Sequence, residues 1–151
     1  MNIFLASPWE EGSRLLAIKT ELKTKGYKVI SSWLNTLKND DTDNTKYPSY
    51  AIQNYKDIRL ADVFVLFTTP GVNFYRGGCF AEQGIAIGLG IQTVVCGPRI
   101  NLYQWLDGVA YTPTIKELYS YLEGYKCAIE LASVVATRDQ ILSGVMNATR
   151  P

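Results

Sequence analysis

The sequence predicts an α/β fold, a doubly wound parallel sheet of about five strands of flavodoxin-like or Rossmann-like type, and three observations predict it. Five short apolar runs alternate with segments of helical periodicity. One of them, Val63-Phe64-Val65-Leu66-Phe67, has no polar alternation, the mark of a strand buried on both faces. Loop stretches follow the first three runs, where sheets of this kind hold their ligands, and the first and third of them carry glycine.

The first run, Ile3 to Ala6, is followed by Leu15, Ile18 and Leu22 at helical spacing, with Gly26 where a left-handed helix terminus belongs. The second run is Tyr27 to Ile30. Beyond the polar stretch Ser31 to Tyr47, Pro48 opens a second helix that carries Ile52, Tyr55 and Arg59 and ends at Ala61-Asp62. The central run leads through Thr68 to Gly78 into a third helix, from about Gly77-Gly78 to Leu89. Its Ala81, Gly84 and Gly88 form a small-residue stripe suited to close packing on the sheet. Thr93 to Cys96 and the weaker Val109 to Tyr111 complete the strands.

Thr114 and Glu117 fit a capping box, and Leu118, Leu122, Tyr125 and Ile129 continue as an apolar stripe. A C-terminal helical segment is therefore expected over about 114–149, within a single domain spanning 1–151. Val134, Val135, Ile141, Leu142 and Val145 make its end apolar, so burial is expected there, in this subunit or against a neighbour.

Composition narrows the chemistry. Of 151 residues, 47% are apolar and 19% charged, enough for one core, and the formal charge of +1 recruits no polyanion, so no nucleic-acid partner is expected. Histidine is absent, which removes the usual general base and the commonest transition-metal ligand. Catalysis must use other groups, and no metal or cofactor is expected. Cys79, Cys96 and Cys127 form no CxxC pair, which suits a reducing, cytoplasmic compartment. The apolar start, Met1 to Ala6, reaches Pro8, Glu10 and Glu11 too soon for a signal-peptide core. No run approaches the roughly 20 apolar residues of a membrane span, so no membrane partner is expected.

Pro70 to Gly78 combines a flexible backbone, the rings of Phe74 and Tyr75, Asn73 and the cation Arg76 immediately before a helix. Such a loop can stack a flat base, and the amides of Gly77 and Gly78 at the helix start attract an anion. An ordinary turn-rich crossover fits the same residues. Just inside that helix stands Glu82, the one acidic residue between Asp62 and Asp107. The positive end of the helix dipole is expected to keep it ionised and available as a nucleophile at neutral pH. After the first strand, Ser7, Gly12, Ser13 and Arg14 stand where a phosphate or a sugar hydroxyl can be received, and Trp9 can stack on a base or lie as an apolar lid. Asp57 shares a helix face with Asn54 and Ala61. Asp62 reads as a helix-terminating residue. The run Asn39 to Asn44 lacks the glycine and terminal glutamate of a calcium loop and reads as a solvated loop.

The segment Arg76 to Gly90 (RGGCFAEQGIAIGLG) resembles the nucleoside 2-deoxyribosyltransferase-like superfamily, which includes deoxyribosyltransferases and nucleotide N-glycosidases. In those proteins a GG-x3-E-x-G-x-A-x3-G stretch carries a nucleophilic glutamate, and the match falls on Glu82. Ile3 to Trp9 is similar to the family's first strand and substrate loop, Asp57 to Asp62 to its D-x3-AD passage, and Cys96-Gly97-Pro98-Arg99 to a turn of its smaller members. The resemblance implies attack by Glu82 on the anomeric carbon of a nucleoside or nucleoside 5′-monophosphate, release of the base, and resolution of a glycosyl ester by water or a second base. It implies that Asp57 protonates or orients the departing base; independently of it, the position of Ser13, Arg14 and Arg76 at helix starts makes them the expected contacts if a 5′-monophosphate is bound. It also implies a homodimer or higher homo-oligomer, because the family's sites are commonly completed across subunits. Two positions depart from the family pattern. Phe4 stands where transferases often carry a tyrosine, and Arg76 where they tend to carry a second aspartate, which argues for an anionic substrate and for hydrolysis rather than transfer. A module that binds a nucleotide without turning it over is the alternative reading on the same fold.

Overall fold

The computed structural model describes residues 1–37, 44–72 and 77–148. Asn73, Tyr75 and Arg76 of the predicted site, and Asn39 to Asp43 of the polar run, lie outside the described residues. The chain divides into two compact units, Met1–Ile115 and the segment from Lys116 onward.

The first unit is a five-stranded sheet made of β1 (Asn2–Ala6), β2 (Lys28–Val29), β3 (Val63–Phe67), β4 (Gln92–Cys96) and β5 (Val109–Thr112). The strand order is β2-β1-β3-β4-β5, and each of the four pairings is parallel. This is the doubly wound arrangement expected, with helices α1 (Gly12–Thr24), α2 (Tyr47–Arg59) and α3 (Gly78–Gly88) in the connections. Every residue of β3 is buried, as its unbroken apolar run demands. Its Phe64 stacks on Phe4 of β1 with ring centroids 5.5 Å apart. Each ring contributes roughly 1.5–3 kcal/mol by leaving water.

Helix α1 buries the predicted Leu15, Ile18 and Leu22, and Gly26 follows it with φ 82°. Asp62 holds the start of β1 by accepting the amide of Asn2 at 2.6 Å, while the Asn2 side chain donates to the carbonyl of Leu60 at 3.0 Å. Chain crowding beyond the carboxyl ends of β3 and β4 is set by Gly97, whose φ is 113°. A Cβ there would stand 2.0 Å from the Thr68 carbonyl oxygen.

One expectation changes. The small-residue stripe of α3 does not face the sheet: Ala81, Gly84 and Gly88 are exposed, and a Cβ on either glycine would meet nothing within 4 Å. The inward face is Cys79, Gln83 and Ala86, set at i, i+4 and i+7. After β2, Ser32–Asn35 forms a 3-10 turn that buries Trp33 and Leu34. The Trp33 indole donates to the Leu5 carbonyl at 2.9 Å, and the Ser31 hydroxyl accepts the Leu5 amide at 2.6 Å. These bonds supply partners for polar groups that burial would otherwise leave unpaired.

The second unit is one long helix, α4 (Ile115–Ala148), in which Tyr121 and Tyr125 stack at 6.1 Å. Ile129, Leu131, Val134 and Val135 are exposed among the described residues. The side chains of Ile141, Leu142 and Val145 lie outside the described residues. Among the described residues no helix is long and apolar enough to cross a membrane.

Candidate active site

Sheet order reverses between β1 and β3, and the crevice beyond the carboxyl ends of such strands is where a doubly wound sheet opens. A cleft of about 970 Å³ lies in the first unit, walled by three segments that leave the sheet and one that crosses above it. After β1 come Ser7, Pro8, Trp9 and Glu10; after β2, Ser32, Trp33, Asn35 and Thr36; beyond β3, Gly77, Gly78, Cys79 and Glu82. Helix α2 contributes Tyr47, Ser49, Tyr50, Gln53 and Asn54.

Gly77 precedes α3 with φ 66°, a left-handed turn that glycine adopts without strain and that aims the helix start at the cleft. Glu82 follows in the second turn of α3, half-buried, and its Oε1 accepts the Asn54 amide Nδ2–H at 2.7 Å. Burial pushes the Glu82 carboxyl up to about 7, against the lowering effect of the Asn54 hydrogen bond. The expectation that the helix dipole keeps this group ionised at neutral pH is therefore corrected. Glu82 sits past the first turn, where the dipole has faded, and loss of water dominates. One turn earlier, the buried Cys79 thiol is pushed up to about 12, first by burial and then by the negative charge of Glu82. It stays protonated and is no nucleophile.

Five of the predicted residues meet around the cleft: Ser7, Trp9, Gly77, Gly78 and Glu82. Trp9 lies beside Trp33, ring centroids 5.9 Å apart and planes tilted by 37°, so two indoles form one wall. Asp57 is buried rather than among the lining residues. Its Oδ2 accepts the Ser32 amide at 2.9 Å and its Oδ1 accepts the Gln53 side-chain N–H at 2.8 Å. Arg14 is drawn aside: it donates to Glu11 Oε2 at 2.9 Å and to Thr69 Oγ1 at 2.8 Å, and its guanidinium lies over Phe67. Ser13 is exposed, and neither it nor Arg14 is in the lining. Among the described residues the lining carries the carboxylates Glu10 and Glu82 and no lysine or arginine.

Sequence reasoning missed Tyr47, Tyr50 and Asn54 as cleft residues. Their signal is the i, i+3, i+7 spacing along α2, which places them on one helix face. Trp33 was concealed in a stretch whose polar composition suggested a loop. Among the described residues no group of three His, Cys, Asp or Glu side chains converges in a way that could hold a metal ion.

Comparison with protein-family models and with curated proteins finds no match to this chain. Solved structures do match in fold. One is the 2-deoxyribosyltransferase from the psychrotolerant bacterium Bacillus psychrosaccharolyticus, 23% identical, with a TM-score of 0.58 over 74% of this chain and 85% of that one. Another is the Clostridium botulinum CMP N-glycosidase, 20% identical, with a TM-score of 0.54 over 82% of this chain and 99% of that one. These likenesses show that the chain shares its α/β fold with both enzymes.

Proposed function

We propose that this protein cleaves the N-glycosidic bond of a nucleoside or nucleoside 5′-monophosphate by covalent displacement, with Glu82 as the nucleophile. The observation that carries this reading is the placement of the Glu82 carboxylate. It is tethered through Oε1 by Asn54 and opens on a cleft walled by Trp9, Trp33, Tyr47 and Tyr50. Aromatic side chains in the lining suit a flat base, and a carboxylate in the same cleft suits attack on the sugar that bears it. Both structural neighbours are named for enzymes of nucleoside or nucleotide chemistry.

In the first step Glu82 Oε2 forms a bond to C1′ as the C1′–N bond breaks. The bonding pair leaves on the base nitrogen, which then takes up a proton. In the second step water adds to C1′, the ester oxygen recovers its electron pair, and the water proton passes to solvent. Water is the acceptor we assign, because the cleft is open to it. We assign Asp57 a positioning role. With both its oxygens occupied, it ties the Ser32 turn and Gln53 together and so fixes two walls of the cleft. A 5′-phosphate would be met from the loop containing Asn73, Tyr75 and Arg76, since Arg14 is already held by Glu11 and Thr69. We further propose a cytoplasmic homo-oligomer in which the exposed Ile129, Leu131, Val134 and Val135 of α4 meet a second copy. Light scattering showing a stable monomer would remove that part.

The test is incubation with ribo- and deoxyribonucleosides and their 5′-monophosphates, with chromatography for free base and mass spectrometry after a slow 2-fluoro analogue. Base release and a sugar adduct on Glu82 are expected. Binding without base release from any of them would replace the enzyme with a nucleotide-binding module. New nucleoside formed on adding a second base would make it a transferase.

A further inference from the structure

We propose that Asn54 reads the sugar's 2′-hydroxyl and selects ribosides over 2-deoxyribosides, an assignment that rests on Glu82 attacking C1′. Stereochemistry brings the groups together. In a β-nucleoside the base occupies one face of the ring, so displacement must come from the other, and the 2′-hydroxyl of ribose lies on that attacked face. Oε1 is separated from Oε2 by two bonds, and the 2′-oxygen from C1′ by two bonds. As Oε2 closes on C1′, the 2′-oxygen therefore settles beside Oε1. That oxygen already accepts the Asn54 Nδ2–H at 2.7 Å, which places the amide at the sugar's C2′ edge.

Asn54 has the remaining groups to receive a hydroxyl. Its amide carries a second N–H and the carbonyl Oδ1 beyond the N–H given to Glu82, and the residue lines the cleft. A 2′-hydroxyl can accept from that N–H and donate to Oδ1 or to Oε1. A 2-deoxy sugar leaves those groups without a partner once it has displaced their water, and sites of that kind discriminate strongly. The contact also strengthens as the reaction proceeds, because hydrogen bonds at this hydroxyl gain most when C1′ carries positive charge.

The experiment compares kcat/KM for matched pairs, cytidine with 2′-deoxycytidine and adenosine with 2′-deoxyadenosine, together with their 5′-monophosphates, in the wild type, Asn54→Ala and Asn54→Ser. The intrinsic lability of deoxy sugars cancels when ribo/deoxy ratios are compared between enzymes, as does any general loss from a less well oriented Glu82. The ratio is expected to fall about ten- to a hundredfold in Asn54→Ala. Asn54→Ser, which keeps a shorter hydroxyl, is expected between the two. Asn54 is half-buried on α2 and alanine favours helix, so the fold is kept, with circular dichroism as the check. An unchanged ratio in an enzyme that still cleaves would overturn this assignment and leave the cleavage reading intact. Base release from none of the pairs by the wild type would overturn both.

Discussion

The Asn54 amide nitrogen lies 2.7 Å from Glu82 Oε1, joining α2 to α3 across the cleft. This bond and the burial of Glu82 act in opposite directions on one proton. Burial pushes the carboxyl up and the amide pulls it down, with the outcome at about 7. A carboxylate that must be ionised to attack will then make kcat/KM rise with pH through a midpoint near 7 and level off above it. Removing the amide in Asn54→Ala removes the lowering influence, so the midpoint moves to higher pH. Kinetics from pH 5 to 9 on both enzymes check this, and a midpoint unmoved by the substitution would detach Asn54 from the ionisation of Glu82.

Glu82→Gln separates chemistry from stability. Its carboxyl is raised above the ordinary 4.5 in the folded state, so the fold holds the proton more tightly than the unfolded chain does. The resulting penalty is absent below about 4.5, grows as pH rises toward 7, and is complete above it. Glutamine carries no charge and keeps an acceptor for Asn54. At pH 8 the variant is expected to be more stable than the wild type by about 2 kcal/mol, and near pH 4 to match it. Activity falls about a thousandfold or more, since the nucleophile is gone. Urea denaturation at the two pH values is the check.

The sheet was legible because most of its strands centre on short apolar runs, of which β3 is unbroken and wholly buried. The loops that carry Ser7, Trp9, Gly77 and Gly78 were legible for the same reason, since strand ends in a doubly wound sheet announce the cleft. Asn54 was not, because a single amide on a helix face looks like any solvated residue until α3 is placed opposite it. Trp33 was hidden by its polar neighbours, although only tertiary packing against β1 decides its burial. Misreading of α3 had a related cause: small residues permit close approach but do not require it, and the bulk of Cys79, Gln83 and Ala86 sits on the inward side.

Asp57→Asn tests positioning against proton donation. The carboxylate accepts from the Ser32 amide and the Gln53 side chain, and an asparagine can accept from only one of them. Losing one such bond costs about 1–3 kcal/mol. A lower melting temperature and a raised KM with kcat largely kept are expected. A large loss of kcat with KM unchanged would make Asp57 the acid instead.

Gly97→Ala addresses the sheet end. Its φ of 113° is strained for any residue with a Cβ, and that atom would fall 2.0 Å from the Thr68 carbonyl oxygen, a backbone group that cannot swing aside. Destabilisation of about 3 kcal/mol or more is expected, with thermal melting as the measurement. A melting temperature within a degree of the wild type would mean that the strand ends can separate freely.

The two indoles of the cleft divide structural from binding roles. Trp33 is buried, and its Nε1–H satisfies the Leu5 carbonyl at 2.9 Å, so it fastens the turn after β2 to β1. Trp9 is half-buried, stands beside it at 5.9 Å, and belongs to the loop after β1. Trp33→Ala leaves a cavity and an unpaired carbonyl, at a cost of about 3–5 kcal/mol. Trp9→Ala removes a ring the fold uses less, and its expected cost is about 1 kcal/mol with KM raised about tenfold through lost stacking on the base. Denaturation curves and steady-state kinetics on both variants read the two effects separately. Equal loss of stability in both, or no change of KM in Trp9→Ala, would show that the base does not rest on this wall.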